Sequence, residues 1–250
     1  MKLIYHEKYL TDYPTASVEQ PARVEAMYAS LSPHYPVLTP EPAPETELLL
    51  VHNPDLIERV KNNGPLYEVA SLAAGGAILA AELACQGEPA FAAIRPPGHH
   101  ASPCSHWGFC FFNNVAIAIE HLRNQRVIER ALILDIDLHF GDGTVNIFKE
   151  RLGVKVINIT GKTRDQYLKE AEAILSDIQA FDLVAVSAGF DTYQKDWGGL
   201  LRTEDYRLIG QWVKEVALAV CQGRRFAVLE GGYFLPDLGK NALAFVQGLE

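Results

Sequence analysis

The sequence predicts an α/β fold with a mostly parallel central sheet covered by helices on both faces. Three observations carry this reading. Short apolar runs alternate with longer helical patterns along the whole chain. The strand candidates are continuously apolar, as strands buried on both faces of a parallel sheet should be. No flexible Gly/Ser linker interrupts the alternation, so residues 1–250 are expected to form one domain.

The elements follow in order. Lys2–Tyr5 is a short apolar strand, and Ala22–Leu31 has helical spacing. Ser32 to Pro44 contains Pro33, Pro36, Pro40, Pro42 and Pro44 and is expected to be a surface connection. Leu48–Val51 is apolar throughout and is expected to be a strand. Leu56–Asn62 and Leu66–Gln86 are expected helices, followed by a strand at Phe91–Ile94 and a helix at Val115–Asn124. A strand at Ala131–Leu138 precedes a helix at Val145–Arg151. A strand at Val154–Ile159 precedes a helix at Gln166–Ala180. Strands at Leu183–Ser187 and Arg225–Leu229 flank a helix at Thr203–Cys221, and a helix at Leu238–Leu249 closes the pattern.

Composition narrows the function classes. Lys plus Arg number 22 and Asp plus Glu 31, a formal net charge of −9. No basic stretch stands out to track a phosphate backbone, so no nucleic-acid partner is expected. The start of the chain lacks the apolar core of a signal peptide, and no uninterrupted apolar run appears long enough to span a bilayer. Cys85, Cys104, Cys110 and Cys221 are too few and scattered for a disulfide framework. Buried reduced thiols in a cytoplasmic protein, with no membrane partner, are the expectation.

In parallel α/β sheets ligands bind beyond the carboxyl ends of the strands. Here those ends run into Arg95-Pro-Pro-Gly-His-His-Ala101, Asp135-Ile-Asp-Leu-His-Phe-Gly-Asp-Gly-Thr144, Ala188-Gly-Phe-Asp191 and Glu230-Gly-Gly-Tyr233. If Leu132 to Phe140 is extended, Ile133, Asp135, Asp137 and His139 share one face. The other face, Leu132 to Phe140 by twos, is wholly apolar. Two carboxylates and an imidazole then converge, which is costly unless a cation or hydrogen-bond donors offset the charge, and a divalent metal is the simplest offset. Asp and His without thiolate suit zinc, iron or manganese, and Asp191 could complete a three-ligand set with an open position. The competing reading makes Asp135 and Asp137 helix caps and His139 a satisfied core residue. A zinc knot from His99, His100, Cys104, His106 and Cys110 fits no common finger spacing.

These segments, together with Gly108-Phe-Cys-Phe-Phe-Asn-Asn-Val115, Ser187-Ala-Gly-Phe-Asp191, Gly198-Gly-Leu200 and Leu229-Glu-Gly-Gly-Tyr233, resemble the zinc-dependent histone deacetylase and acetylpolyamine amidohydrolase family. Gln20-Pro-Ala-Arg-Val-Glu25 and Ala73-Ala-Gly-Gly-Ala77 are weaker matches. The chain looks like a short prokaryotic-type member. The resemblance implies a three-layer arginase/deacetylase-like fold and a hydrolase removing acetyl or another short acyl group from acyl-lysine, acylpolyamine or small amines. It implies Asp137, His139 and Asp191 as ligands of one zinc (Zn2+) per chain, with iron (Fe2+) also compatible. Asp135 would orient His99, and Asp142 would orient His100, the general base. Tyr233 would donate to the developing oxyanion, and Gly231 and Gly232 would let backbone approach the substrate. Gly108 would accept the substrate amide N–H and Phe109 would line the channel, with Phe111 or Phe112 in the core. Arg23 would border an acetate-release pocket or form a surface salt bridge. A structural potassium (K+) would sit among Asp135, Asp137, His139, Asn158 and Ile159, with Asn158 standing where the family commonly has Ser.

The match departs in places. Phe140 stands where the family usually has a second His, and is expected on the apolar face opposite the ligands. The Asn62–Leu66 region and the stretch after Ile159, Thr160-Gly-Lys-Thr-Arg-Asp165, lack the family's longer loops. One channel wall is therefore expected to be missing, and a homo-oligomer could rebuild it. Two other functions compete. A ureohydrolase on the same fold would want two manganese ions and a richer Asp/His set. A non-catalytic acyl-lysine-binding protein is opposed by the intact His pair and Tyr233.

Overall fold

The computed structural model describes residues 1–176 and 180–250. Its centre is a seven-stranded sheet with every pairing parallel. The strands are β1 (Lys2–Ile4), β2 (Val37–Leu38), β3 (Ala90–Ala92), β4 (Ala131–Asp135), β5 (Val154–Asn158), β6 (Leu183–Ala188) and β7 (Arg225–Leu229), in the spatial order β2-β1-β3-β7-β6-β4-β5. Every residue of β3, β4, β6 and β7 is buried, which is why these strands are apolar without alternation. Edge strand β5 is partly exposed, and edge strand β2 has only two residues. The parallel sheet between helical layers, a three-layer α/β architecture, is as expected.

One helical layer contains α2 (Glu45–Leu48), α3 (Pro54–Lys61), α4 (Gly64–Cys85), α5 (Asn114–Asn124) and α6 (Asp142–Phe148). The other contains α1 (Ala22–Leu31), α7 (Arg164–Ser176), α8 (Thr203–Cys221) and α9 (Leu235–Leu249). Asn53 caps α3 by accepting from Leu56 N at 2.9 Å, and Asn113 caps α5 by accepting from Ala116 N at 3.1 Å. Helix α4 packs against β1, β3 and β7. It can come close because Gly76 has no side chain; a Cβ there would sit 2.8 Å from Ile94 Cγ2 and from the Tyr9 hydroxyl.

The register sets up the site. Ala92 pairs with Val228, Val228 with Ser187, Ser187 with Asp135, and Asp135 with Asn158. The carboxyl ends of β3, β7, β6, β4 and β5 are therefore level, and the loops that follow them meet at one edge.

Several expectations are corrected. Leu48–Val51 is not a strand. Its residues close helix α2 and the turn after it, with Leu49 N donating to Glu45 O at 2.9 Å and His52 N to Leu48 O at 2.9 Å. The place beside β1 is instead taken by Val37 and Leu38, inside the proline-rich connection. The fourth strand ends at Asp135, not Leu138, because the chain turns away there. Phe140 consequently does not lie on a buried apolar face but is 55% exposed. Helix α6 starts at Asp142 rather than Val145, and α9 at Leu235 rather than Leu238. The helix expected over Gln166–Ala180 is seen as α7; residues 177–179 of that expectation lie outside the described residues. Helix α4 is, against expectation, long and apolar enough to cross a membrane, but 72% of its most apolar window is buried inside the fold. Cys110 and Cys221 are buried, Cys85 is half-buried, and Cys104 is exposed.

Candidate active site

Beyond Asp135 the chain makes two tight side-chain-to-backbone turns. Asp137 N donates to Asp135 Oδ1 at 3.0 Å, and His139 N donates to Asp137 Oδ1 at 2.9 Å. An aspartate accepting from the amide two residues on is a local alternative to the sheet ladder. It explains why Asp-x-Asp-x-His converges although the strand has ended.

The loop after β6 brings Asp191 to the same point. His139 Nδ1 lies 3.2 Å from Asp137 Oδ1 and 3.0 Å from Asp191 Oδ2. One ligand atom from each of Asp137, His139 and Asp191 lies within 4.8 Å of the others. Asp137 Oδ2 accepts from Gly231 N at 2.8 Å, and Asp191 Oδ1 from Leu138 N at 3.0 Å. Among the described residues, the buried Asp191 Oδ2 makes no regular hydrogen bond, and its close polar contact is the ion pair with His139 Nδ1. A buried carboxylate oxygen is rarely left without a well-formed hydrogen bond, because its desolvation is then poorly compensated. A divalent cation shared by these oxygen and nitrogen donors satisfies it, so the residues fit a metal of the zinc type.

The charges agree. Burial, with Asp137 beside it, pushes the Asp191 carboxyl up to about 7. Burial also works to raise Asp137, but His99, His139 and the Gly231 amide outweigh it and hold it low. Hydrogen bonds to Asp137 and Asp191 raise His139 to about 10. Without a cation, a proton on His139 offsets one carboxylate charge, and the raised Asp191 carboxyl lessens the other.

Two His–Asp pairs stand beside the cluster. His99 Nδ1 is 3.0 Å from Asp135 Oδ2, and His100 Nδ1 is 2.7 Å from Asp142 Oδ1. The rings are 4.0 Å apart. Glu230 Oε2 fixes their turn by accepting from Gly98 N at 2.7 Å and His99 N at 3.1 Å. The environments differ in sign. Burial pulls His99 down, but Asp135 and Asp137 outweigh it and hold it well above its ordinary value. Burial and the neighbouring His99 lower His100 to about 4, which keeps it neutral near pH 7.

A cavity of about 150 Å³ opens over these groups. His99, His100, Asp137 and His139 reach it, and Phe109 and Tyr233 meet across it edge to face, 5.8 Å apart at 74°. Burial raises the Tyr233 phenol, against the opposing pull of Arg23, whose guanidinium lies 4.7 Å from the ring centroid. Arg23 is fully buried rather than on the surface. Its Nε donates to Gly232 O at 2.7 Å, and it also bonds Glu230 O and Glu19.

The glycines divide. Gly108 (φ +61°) and Gly231 border the cavity, although the Gly231 amide is committed to Asp137. Gly232 (φ +122°) turns its carbonyl to Arg23, and a Cβ there would lie 2.8 Å from Phe190 and Leu238. Phe112 is core, and Phe111 packs edge-on against Tyr13. Asn158 Oδ1 accepts from Gly141 N at 2.7 Å, and Ile159 N donates to Asp135 O at 3.3 Å. A second trio, His99, Cys110 and Glu230, is close enough for a metal. Its Glu230 oxygens already accept from Gly98, His99 and Ser187, and burial holds the Cys110 thiol well above its ordinary value.

Three contributors were missed in the sequence, Trp107, Trp197 and Asp196, while Glu230 was named at a strand end without a role. Trp107 and Trp197 directly precede glycines and Glu230 directly follows β7, but nothing in the sequence shows that Trp107, Trp197 or Asp196 faces the site. Asp196 Oδ2 accepts from Tyr233 N at 2.6 Å and Phe234 N at 2.7 Å. Trp107 and Trp197, each 52% exposed, border the cavity mouth.

Known proteins resemble this chain in both sequence and fold. The family model described as histone deacetylase domain matches residues 17–167 and 154–249. A probable deacetylase of Methanothermobacter thermautotrophicus is 31% identical over 100% of this chain and 91% of its own length. A histone deacetylase-like amidohydrolase of Pseudomonas aeruginosa is 30% identical, over 83% of this chain and 70% of its own length. An acetylpolyamine amidohydrolase 2 from the same species is 32% identical, over 68% and 58%. The crystal structure of the HDA15 HD domain superposes with a TM-score of 0.87 at 24% identity, covering 99% of this chain and 88% of that one. The chain belongs to the histone deacetylase family of deacetylases and amidohydrolases.

Proposed function

We propose that this protein is a zinc-dependent amidohydrolase that removes acetyl or another short acyl group from acyl-lysine, an acylated polyamine or a small acylated amine. The observation that carries the reading is the buried cluster of Asp137, His139 and Asp191, in which Asp191 Oδ2 makes no regular hydrogen bond and meets the His139 ring as an ion pair. It lies beside two His–Asp pairs and a phenol in one cavity.

Asp137, His139 and Asp191 would hold the ion. When bound, zinc lowers the pKa of water toward neutrality and polarises the amide carbonyl. His100, neutral near pH 7 and held through Nδ1 by Asp142, takes the proton from water and returns it to the departing amine. His99, kept cationic by Asp135 and Asp137, steadies the negative charge that develops. Tyr233, kept protonated by burial, donates to the oxygen that gains that charge. Phe109 forms one wall for the acyl chain, and the Gly108 carbonyl accepts the substrate N–H. The products are a carboxylate and a free amine, with one water consumed.

The reading includes one catalytic domain over residues 1–250, supported by a single sheet running from Lys2 to Leu229. It also includes a cytoplasmic location, and a potassium ion near Asp135 and Asn158. The test is a side-by-side panel of acylated polyamines, small acyl-amines and acyl-lysine peptides, with zinc loaded and verified. Turnover blocked by a hydroxamate is expected. No turnover at any acyl length with metal confirmed would overturn the assignment.

A further inference from the structure

Trp107 touches both members of the His100–Asp142 pair. Its ring lies against His100, centroids 3.7 Å apart and planes 30° apart. Its indole Nε1 donates to Asp142 Oδ1 at 3.1 Å and Oδ2 at 2.9 Å. Asp142 Oδ1 also receives His100 Nδ1 at 2.7 Å. These are the hydrogen bonds of the Asp142 carboxylate among the described residues, so the indole is half of what orients it.

The next residue makes the stack possible. Gly108 adopts φ +61°, and a Cβ there would come 3.2 Å from His100 Cδ2. The loop thus runs directly over the imidazole, with the indole laid on it. The partner dyad needs no such cover. Asp135 is buried and is held by the Asp137 amide as well as by His99. Asp142 is partly exposed, so water would compete for it.

We propose that Trp107 is a positioning residue for the proton-transferring dyad, acting through both contacts. Stacking sets the plane of the His100 ring. The indole N–H sets the Asp142 carboxylate, which keeps the proton on His100 Nδ1 and leaves Nε2 free toward the cavity. This rests on the amidohydrolase reading above. It assigns a role in the chemical step to a half-exposed aromatic that would otherwise be read as wall.

Two variants separate the contacts. Trp107→Phe keeps a stacking ring and loses the donor; Trp107→Leu loses both. We expect kcat to fall ~3–10-fold in the first and ~30–100-fold in the second, the size expected when a reacting group is misplaced by a fraction of an ångström to an ångström. KM should stay within about twofold, because an interaction made only in the transition state is removed. A second readout needs no turnover. With ¹⁵N-labelled histidine, His100 of the wild type should show the Nδ1–H tautomer and ring protons shifted upfield by the indole. Trp107→Phe should keep an upfield shift with a mixed tautomer, and Trp107→Leu should lose both.

A change confined to KM would overturn the proposal and make Trp107 a substrate wall. Wild-type kcat with unmoved His100 signals in Trp107→Leu would overturn it as well. If the wild type hydrolyses no reporter, the amidohydrolase reading falls, and the histidine signals alone then decide whether Trp107 positions the pair.

Discussion

The indole of Trp197 lies on the phenol ring of Tyr233, with centroids 4.2 Å apart and planes 22° apart. It also presents itself to His139 at 5.9 Å, near right angles. The loops shortened after Ile159 were expected to leave the channel without a second wall. Trp197 stands at the cavity mouth as that wall, in the loop that also ties down the Tyr233 backbone through Asp196. Trp197→Ala removes a stacked aromatic pair, worth about 1 kcal/mol beyond its buried area. KM for the best acyl substrate should rise ~5-fold or more, with a smaller change in kcat. Steady-state kinetics on one substrate checks this.

Tyr233→Phe removes the phenol donor but no metal ligand. Bound zinc should remain near one per chain. Turnover should drop ~10²–10³-fold, as when one preorganised donor to a developing oxyanion is lost. Metal analysis of the same preparation used for kinetics separates the two effects. Equal metal loss would contradict the assignment.

Asp191→Ala removes a buried carboxylate whose Oδ2 meets the His139 ring but makes no regular hydrogen bond among the described residues. Zinc should then fail to bind at stoichiometric concentration. In the wild type, zinc should raise Tm, because binding to the native state alone stabilises it. In Asp191→Ala, Tm should not respond to zinc. Calorimetric scans with and without the ion report this independently of activity.

Metal affinity should rise with pH. In the metal-free protein His139 titrates at about 10 and Asp191 at about 7. Both bind metal only when deprotonated, so ions compete with protons. Below about pH 7 two protons are displaced per ion, and the apparent affinity should climb roughly a hundredfold per pH unit. Between about 7 and 10 only the His139 proton remains, and the slope should halve on the logarithmic scale. Competition titrations with a metal indicator from pH 6 to 9, with hydroxide complexes taken into account, measure it. A flat profile would contradict the protonated cluster.

Gly189→Ala should cost metal without touching a ligand chemically. A Cβ at Gly189 would run into the Asp137 carboxylate, Oδ2 included, and lie 2.5 Å from Asp137 Cα. Overpacking of this kind costs about 1–3 kcal/mol, and here the strain falls on a ligand. Zinc affinity should fall at least tenfold with the fold retained, as read by circular dichroism and metal titration.

Most of the layered architecture was legible, because parallel strands buried on both faces must be apolar throughout. Ala131 to Asp135 and Leu183 to Ala188 show this directly. Leu48–Val51 failed for the same reason that the rule works elsewhere: a short apolar run also suits a helix end. Only the preceding Pro44 and the pairing of Val37 with Leu3 settle which. The candidate site was legible as residue types and motifs. Asp137 and His139 converge, but not as one face of a strand: β4 stops at Asp135 and two aspartate turns complete the approach.

The sequence by itself determined the α/β class, the strand-end positions of the chemistry-bearing residues and membership of the family. These depend on apolar patterning and short-range spacing. Tertiary structure decided the rest. It levelled the carboxyl ends of β3, β7, β6, β4 and β5, brought Asp191 Oδ2 against the His139 ring, and gave His99 and His100 opposite charge preferences. It also laid Trp107 on His100 and Trp197 on Tyr233. Such relations join residues far apart along the chain, and burial and through-space charge exist only once the chain has folded.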